Sequence, residues 1–270
     1  MTTARGLLAR TGLPQRESEV LLLSLLGRDR GWLFAHGDAP IAQHCEGAFM
    51  AWVQRRQKGE PLAYILGERE FWSLPLRVTP DVLIPRPDTE VLVEWAINLM
   101  AGEPSAHCLD LGTGSGAIAL AIKHELPESR MTAVDTSDSA LAVARDNGQR
   151  LGLEVEWLQG SWFEPVAGRS FDLIVSNPPY IRNDDAHLQL GDLPAEPALA
   201  LRGGTDGLDS IRHLVAGARA VLRPGGSFLV EHGWDQGAAV RALMDQHGWQ
   251  GVATRRDLSG HERVTYGCLG

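Results

Sequence analysis

The run His107-Cys108-Leu109-Asp110-Leu111 passes without a break into Gly112-Thr113-Gly114-Ser115-Gly116, and residues 117–122 then read as a helix. A short apolar segment that stops at alternating glycines and resumes with helical character is the strand, turn and helix of a parallel α/β unit. The pattern continues after Asp88. Strands are expected at 106–111, 130–135, 155–159, 171–176 and 226–231. Two β-rich stretches near the end, 249–256 and 263–269, are placed to pair as an antiparallel edge. The fold class is therefore α/β, with a mostly parallel sheet and connecting helices.

Glycines at every second position let the backbone turn sharply and approach a ligand closely, and the helix that follows offers unpaired N–H groups to an anion. That anion is either a methionine carboxylate or a pyrophosphate. Nineteen residues beyond Gly116, the strand at 131–134 ends in Asp135, where a carboxylate accepts hydrogen bonds from ribose hydroxyls. Gly112, Thr113, Gly114, Ser115, Gly116 and Asp135 thus describe an adenosine-containing ligand. The loop alone leaves its identity open, because Gly112, Gly114 and Ala117 also satisfy the G-x-G-x-x-A pattern of dinucleotide sites. Glycines that merely make a tight turn are a third reading. Asp110 is a lesser candidate for the ligand's amino group, with capping of the loop as its alternative.

The strand 171–176 delivers Asn177-Pro178-Pro179-Tyr180 at its carboxyl end, where open α/β sheets place ligands. A planar amide or exocyclic amine is a poor nucleophile because its lone pair is delocalised; the amide rotation barrier of about 18–20 kcal/mol measures that resonance. The Asn177 side-chain carbonyl and the Pro178 backbone carbonyl are the acceptors for both hydrogens of an NH2 group, turning its lone pair toward an activated methyl. Consecutive prolines fix φ at about −65° and bring no competing donors. Tyr180 packs on the planar group. This combination favours methyl transfer from the sulfonium of S-adenosylmethionine over a dinucleotide ligand. No metal is called for, and no HExxH or P-loop pattern is present. A Pro-Pro turn after a core strand is the competing structural explanation.

Ahead of this α/β region, residues 1–59 show only helical patterns, such as Cys45, Phe49, Trp52 and Val53 at i, i+4, i+7 and i+8. A second helix opens at Pro14 and closes at Gly27, with Leu21, Leu22 and Leu25 on its apolar side. Residues 60–87 read as a β-hairpin linker, from short β-like runs at Tyr64-Ile65-Leu66, Phe71-Trp72 and Leu74 to Val78. Residues 88–270 form the remaining domain. Residues 1–60 carry eight Lys/Arg against six Asp/Glu, a charge of +2, while the other 210 carry seventeen against twenty-eight, or −11. So acidic a second part offers little to a nucleic-acid duplex. The longest nearly unbroken apolar stretch, Val20 to Leu26, is seven residues, far short of the roughly 20 that cross a bilayer. With no secretory signal at the start, the expected location is the cytoplasm. Cys45, Cys108 and Cys268 lie far apart, as expected of buried reduced thiols rather than a disulfide framework or a zinc site.

The strings DLGTGSG at 110–116, Val134-Asp135 and Asn177-Pro178-Pro179-Tyr180 resemble class I methyltransferases that act on planar nitrogen. Further segments make the chain similar, over almost its whole length, to the protein (glutamine-N5) methyltransferases of peptide release factors, the PrmC or HemK family. These are 59–67 (GEPLAYILG), 84–90 (IPRPDTE), Glu196-Pro197 with 203–209 (GGTDGLD), and 257–263 (DLSGHER). The resemblance implies a helical N-terminal domain that recognises the release factor, a hairpin linker, and a seven-stranded Rossmann-like catalytic domain. It implies the glutamine of the Gly-Gly-Gln loop of class 1 release factors as the target. It also implies cofactor contacts at Gly112 to Gly116, Asp135, Trp162 and Asn177, and substrate contacts at Asn177, Pro178, Pro179 and Tyr180. A glutamine in a ribosomal protein and an adenine N6 in DNA are the alternative targets. The short N-terminal domain and the segment 187–197 favour the release-factor type. Arg86 is read either as lining the donor pocket or as a surface arginine, and residues 181–205 as a loop that orders on substrate binding.

Overall fold

The computed structural model describes residues 2–270, which divide into two compact units. One comprises residues 2–68 with Leu190–Ala195; the other comprises Arg69–Gln189 and Glu196–Gly270.

The first unit is helical: Ala4–Leu8, Gln15–Leu26, Arg30–His36, Gln43–Gln57 and Leu62–Leu66. Gly27 ends the second of these in the left-handed conformation (φ 59°), its N–H returning to the Leu23 and Ser24 carbonyls. Leu7, Leu21, Leu22, Phe49, Val53 and Ile65 form the core. The run Tyr64-Ile65-Leu66, read from sequence as β-like, is helical instead. Pro61 starts that turn by accepting from Ile65 N–H at 3.1 Å, and Gly67 (φ 76°) stops it. Three residues are too few for periodicity to separate the two states. The outlying segment Leu190–Ala195 is held within this unit by Asp192, which takes one Arg56 nitrogen at 2.8 Å while Glu17 takes another at 2.7 Å.

A hairpin of β1 (Glu68–Phe71) and β2 (Leu74–Arg77) follows. Trp72 (φ 52°) and Ser73 (φ 59°) make its two-residue turn, the left-handed pair that matches the twist of hairpin strands. The second unit is built on a seven-stranded sheet. In chain order its strands are β3 (His107–Leu111), β4 (Arg130–Asp135), β5 (Glu156–Gln159), β6 (Phe171–Ser176), β7 (Leu222–Glu231), β8 (Gln250–Arg256) and β9 (Glu262–Cys268). In space they run β5-β4-β3-β6-β7-β9-β8, with β9 antiparallel to both β7 and β8. β7 begins four residues before the stretch read from sequence, because Leu222 pairs with Phe171 ahead of an irregularity in the ladder. Side chains alternate between two cores. Cys108, Leu173 and Leu229 face the helices Glu90–Met100 and Ala117–Glu125, while Leu109, Ile174 and Phe228 face Asp209–Gly217 and Gly237–Gln246. Cys108 is buried, and burial pushes its thiol up to about 12; Cys45 and Cys268 are half-buried rather than buried.

The chain passes from β3 outward through β4 and β5, then returns to lay β6 on the other side of β3. Loops leaving β3 and β6 therefore diverge, opening the crevice at which doubly wound sheets bind ligands. Register fixes what stands there. Leu111 pairs with Val134 and Ser176, and Ser176 with Val230. The next residue on each strand, Asp135, Gly112, Asn177 and Glu231, forms one row across the carboxyl edge.

Candidate active site

Gly112, Gly114 and Gly116 all have positive φ (75°, 55° and 83°). At Gly116 glycine is required twice over: a Cβ would meet the Trp157 ring at 3.0 Å and Leu120 at 3.1 Å, and φ is left-handed. The loop is anchored from three sides. Gly112 and Thr113 N–H donate to the Val134 carbonyl at 2.9 and 3.0 Å, and Gly114 N–H donates to Asp135 Oδ2 at 2.8 Å. Buried Asn147 donates to the Ser115 carbonyl at 2.9 Å and the Arg77 carbonyl at 3.0 Å, and accepts from Arg77 N–H at 2.7 Å. The other Asp135 oxygen accepts from Ser137 N–H at 2.9 Å, so the carboxylate is fixed in orientation with a lone pair left on each oxygen.

Asp110 lies beneath the loop, fully buried. Its Oδ2 accepts from Thr113 Oγ1 at 2.6 Å, but Oδ1 has no partner. Burial pushes its carboxyl up to about 7, against the Thr113 hydrogen bond and with a contribution from the Asp135 charge. A buried acceptor without a donor fits a ligand that brings a cationic donor, the role read from sequence as the lesser candidate. The Trp162 ring closes the loop from above: a Cβ on Gly112 would lie 3.6 Å from it. Trp162 has φ 47°, an uncommon conformation for a bulky residue, and its ring is tilted against His213 at 6.3 Å.

At the end of β6, Asn177 Nδ2 donates to Thr89 Oγ1 at 3.2 Å. That bond turns the side-chain oxygen the other way and leaves it free to accept, as a polarising contact to an NH2 group demands. Pro178 is buried, and Asn177, Pro179 and Tyr180 are half-buried. The Tyr180 hydroxyl donates to Glu231 Oε1 at 3.4 Å, and burial followed by the Glu231 charge holds the phenol above its ordinary range. The Tyr180 carbonyl accepts from Gln236 Nε2 at 3.0 Å. Two glycines press on this backbone. A Cβ on Gly203 would stand 2.7 Å from the Pro179 oxygen, and one on Gly207 would stand 2.3 Å from the Tyr180 oxygen.

The 181–205 segment is packed in the structure. Ile181 N–H donates to the Leu201 carbonyl at 2.9 Å, Gly203 N–H to Ile181 at 2.8 Å, and Asn183 N–H to Gly204 at 3.0 Å. Arg86 neither lines a pocket freely nor stands alone at the surface. It pairs with Glu196, whose side chain is wholly buried and whose second oxygen accepts from Ile84 N–H at 3.2 Å. Arg263 likewise joins Asp257 at 2.9 Å to Asp88 at 3.3 Å. The sequence segments 84–90, 196–197, 203–209 and 257–263 thus meet around the Asn177–Tyr180 turn.

The N-terminal residues 1–67 match the PrmC N-terminal domain model, and residues 88–193 match the Methyltransferase small domain. The release factor glutamine methyltransferase of Bordetella pertussis is 49% identical over 270 residues, covering 100% of both chains. The chain belongs to the release factor glutamine methyltransferase family. A second family member, from Xylella fastidiosa, is 50% identical over 93% of this chain and 92% of its own. A methyltransferase from Pyrococcus furiosus shares the fold, with a TM-score of 0.56 at 18% identity over 73% of this chain and 89% of its own. The second unit has the class I methyltransferase fold, with its mostly parallel seven-stranded sheet.

Within this family member, sequence patterning assigned no role to Thr89, Asn147, Glu196, Gly203, Gly207, Glu231 or Gln236. Glu231 reads as the last residue of a core strand, and Asn147 as one polar position on the helix Asp138–Leu151. Only their partners, 70 and 51 residues away in sequence, reveal what they hold. One signal was legible: Thr89, Glu196, Gly203 and Gly207 fall in segments already distinguished by resemblance.

Proposed function

We propose that this chain transfers the methyl group of S-adenosylmethionine to the side-chain amide nitrogen, N5, of the glutamine in the Gly-Gly-Gln motif of class 1 peptide release factors. The observation that carries the reading is the row Asp135, Gly112, Asn177, Glu231. It sets an adenosine-type cradle directly beside an amide-polarising turn, on strands locked in register.

S-adenosylmethionine, when bound, supplies a methyl on a positively charged sulfur that leaves readily. Asp135 is oriented to accept from ribose hydroxyls, and the loop Gly112 to Gly116 with the N-terminus of Ala117–Glu125 receives a carboxylate. Asp110 Oδ1 receives the ammonium, and Trp162 covers the loop. On the substrate side, Asn177 Oδ1 and the Pro178 carbonyl accept the two N–H bonds of the glutamine amide, drawing density onto nitrogen and aiming its lone pair. Tyr180 and Pro179 flank the planar group. Positioning of this kind converts encounter into reaction without a strong base. After transfer the nitrogen carries one proton too many, and the amide becomes acidic enough to release it to water.

The helical residues 1–59 serve as the recognition module, residues 60–87 as the connector and residues 88–270 as the catalytic domain. The helical unit offers a groove lined by Leu8, Leu13, Leu33 and exposed Phe34, with Arg5 and Arg30 beside it. The enzyme works in the cytoplasm, where release factors act. Among the described residues no helix is long and apolar enough to cross a membrane. Incubation with methyl-labelled S-adenosylmethionine and either purified release factor or duplex DNA tests the reading. Label in the factor is the expected result, and label in adenine would overturn it.

A further inference from the structure

The Asn177–Tyr180 turn has few means of holding itself. Pro178 and Pro179 carry no N–H, and their rings fix φ at about −65° but leave ψ to be set from outside. The peptide group that follows the turn is gripped at both ends. Its oxygen, the Tyr180 carbonyl, accepts from Gln236 Nε2 at 3.0 Å, and its Ile181 N–H donates to the Leu201 carbonyl at 2.9 Å. We infer that Gln236 is a positioning residue for methyl transfer: its amide sets the tilt of the Tyr180–Ile181 peptide group, and through it the aim of the Pro178 carbonyl and the Tyr180 ring at the substrate amide. The inference rests on the proposed reaction and adds a residue to it.

The position calls for an amide. Gly233 N–H donates to Gln236 Oε1 at 2.8 Å, so the other end of the side chain presents its NH2, which meets both the Tyr180 carbonyl and, at 3.4 Å, the Gly207 carbonyl. One acceptor and two donors on a planar group thus face one donor and two acceptors. A carboxylate has only acceptors to offer and would set negative charge against two carbonyl oxygens.

The base of the side chain is held as well. Gln236 N–H donates to the Gly233 carbonyl at 3.0 Å, and the same carbonyl lies 2.9 Å from Nδ1 of the wholly buried His232. Gln236 stands at the start of the helix Gly237–Gln246 but makes no capping bond to it; its side chain is committed to the turn instead. The cofactor loop has separate anchors in Val134, Asp135 and Asn147. Loss of the Gln236 amide should therefore slow the reaction without weakening donor binding.

The test measures kcat, the KM for intact release factor and the dissociation constant of S-adenosylmethionine for wild type, Gln236→Ala and Gln236→Glu, at a temperature where circular dichroism shows all three folded. Misplacing a reacting group by about 1 Å costs on the order of 100-fold. Gln236→Ala should accordingly lower kcat about tenfold or more, with KM and donor affinity within about twofold. Gln236→Glu keeps nearly the same volume and loses the donors, so it should be slower still. A side chain that merely filled space would give the reverse order, with Gln236→Glu near wild type. That order, or wild-type kcat in Gln236→Ala, would overturn the inference. A readout on wild type covers the case of misfolded variants: the Gln236 NH2 protons, held by two carbonyls, should exchange with solvent slowly. Exchange as fast as that of a free glutamine would also overturn it. Absence of methyl transfer to the factor by wild type would overturn the proposed reaction, and this role with it.

Discussion

Asn177 Nδ2 donates to Thr89 Oγ1 at 3.2 Å across 88 residues of sequence, which makes the orientation of the motif amide a property of the tertiary fold rather than of the turn alone. Replacing Asn177 with Ala removes an acceptor needed as the substrate amide loses its planarity. Loss of one such contact is worth about 100-fold or more in kcat. Stopped-time assays on intact release factor, with circular dichroism to verify the fold, are expected to show that drop.

On the proposed reading, Asp110 should govern cofactor affinity through its protonation. Its carboxyl stands at about 7 in the free protein, so it is mostly neutral below that value and ionised above it. A cationic ammonium binds the ionised form, hence S-adenosylmethionine affinity should rise with pH up to about 7 and then level. Binding should release protons near pH 7, seen calorimetrically as a heat that depends on the buffer's ionisation enthalpy. Asp110→Asn should weaken binding by about 1.5–3 kcal/mol and erase that buffer dependence. For folding the sign is opposite: a carboxyl raised from 3.8 to about 7 favours the folded state at low pH, and that contribution is lost as pH rises through 7. Its size is on the order of 4 kcal/mol, so denaturant melts should show wild type losing stability relative to Asp110→Asn between about pH 4 and pH 7.

Gly207 tolerates no side chain. A Cβ there would sit 2.3 Å from the Tyr180 carbonyl and 2.6 Å from Gln236 Nε2, at φ 79°. Gly207→Ala combines left-handed strain of about 1–2 kcal/mol with displacement of the catalytic backbone. Both Tm and kcat should fall, while S-adenosylmethionine affinity changes little because the cofactor loop lies on β3.

Asn147 should produce the converse pattern. It joins β2 to the cofactor loop through Arg77 and Ser115. Asn147→Ala leaves buried groups unpaired at a cost of about 1–3 kcal/mol. The dissociation constant for S-adenosylmethionine should rise, and kcat at saturating donor should stay near the wild-type value.

Much of this architecture was legible locally. The strands β3, β4 and β6 and the loop from Gly112 to Gly116 follow from apolar runs broken by glycines, because both signals are carried by adjacent residues. Asn177 to Tyr180 was legible because two prolines after a core strand are chemically distinctive. What the sequence hid depends on distant pairings. Glu231 differs from any strand-terminal glutamate only through Tyr180, and Asn147 is polar on a helix whose other buried positions are mostly apolar. The helix Leu62–Leu66 was misread because one turn is too short for its period to show. Asp192 gave no sign that it would pair with Arg56, 136 residues earlier.

If the helical unit reads the substrate protein, its groove should control substrate affinity alone. Phe34 is 87% exposed, so replacing it leaves the core intact. Phe34→Asp should lower kcat/KM for an intact release factor about tenfold or more, the scale of an aromatic anchor at an interface. Turnover of a short Gly-Gly-Gln peptide should be unchanged.

Tandem mass spectrometry of a purified class 1 release factor, after incubation with this enzyme and S-adenosylmethionine, tests the central claim most directly. The expected result is one added methyl on the side-chain nitrogen of the glutamine in the Gly-Gly-Gln motif, present with wild type and nearly absent with Asn177→Ala. An unmodified glutamine, or a methyl on any other residue, would contradict it.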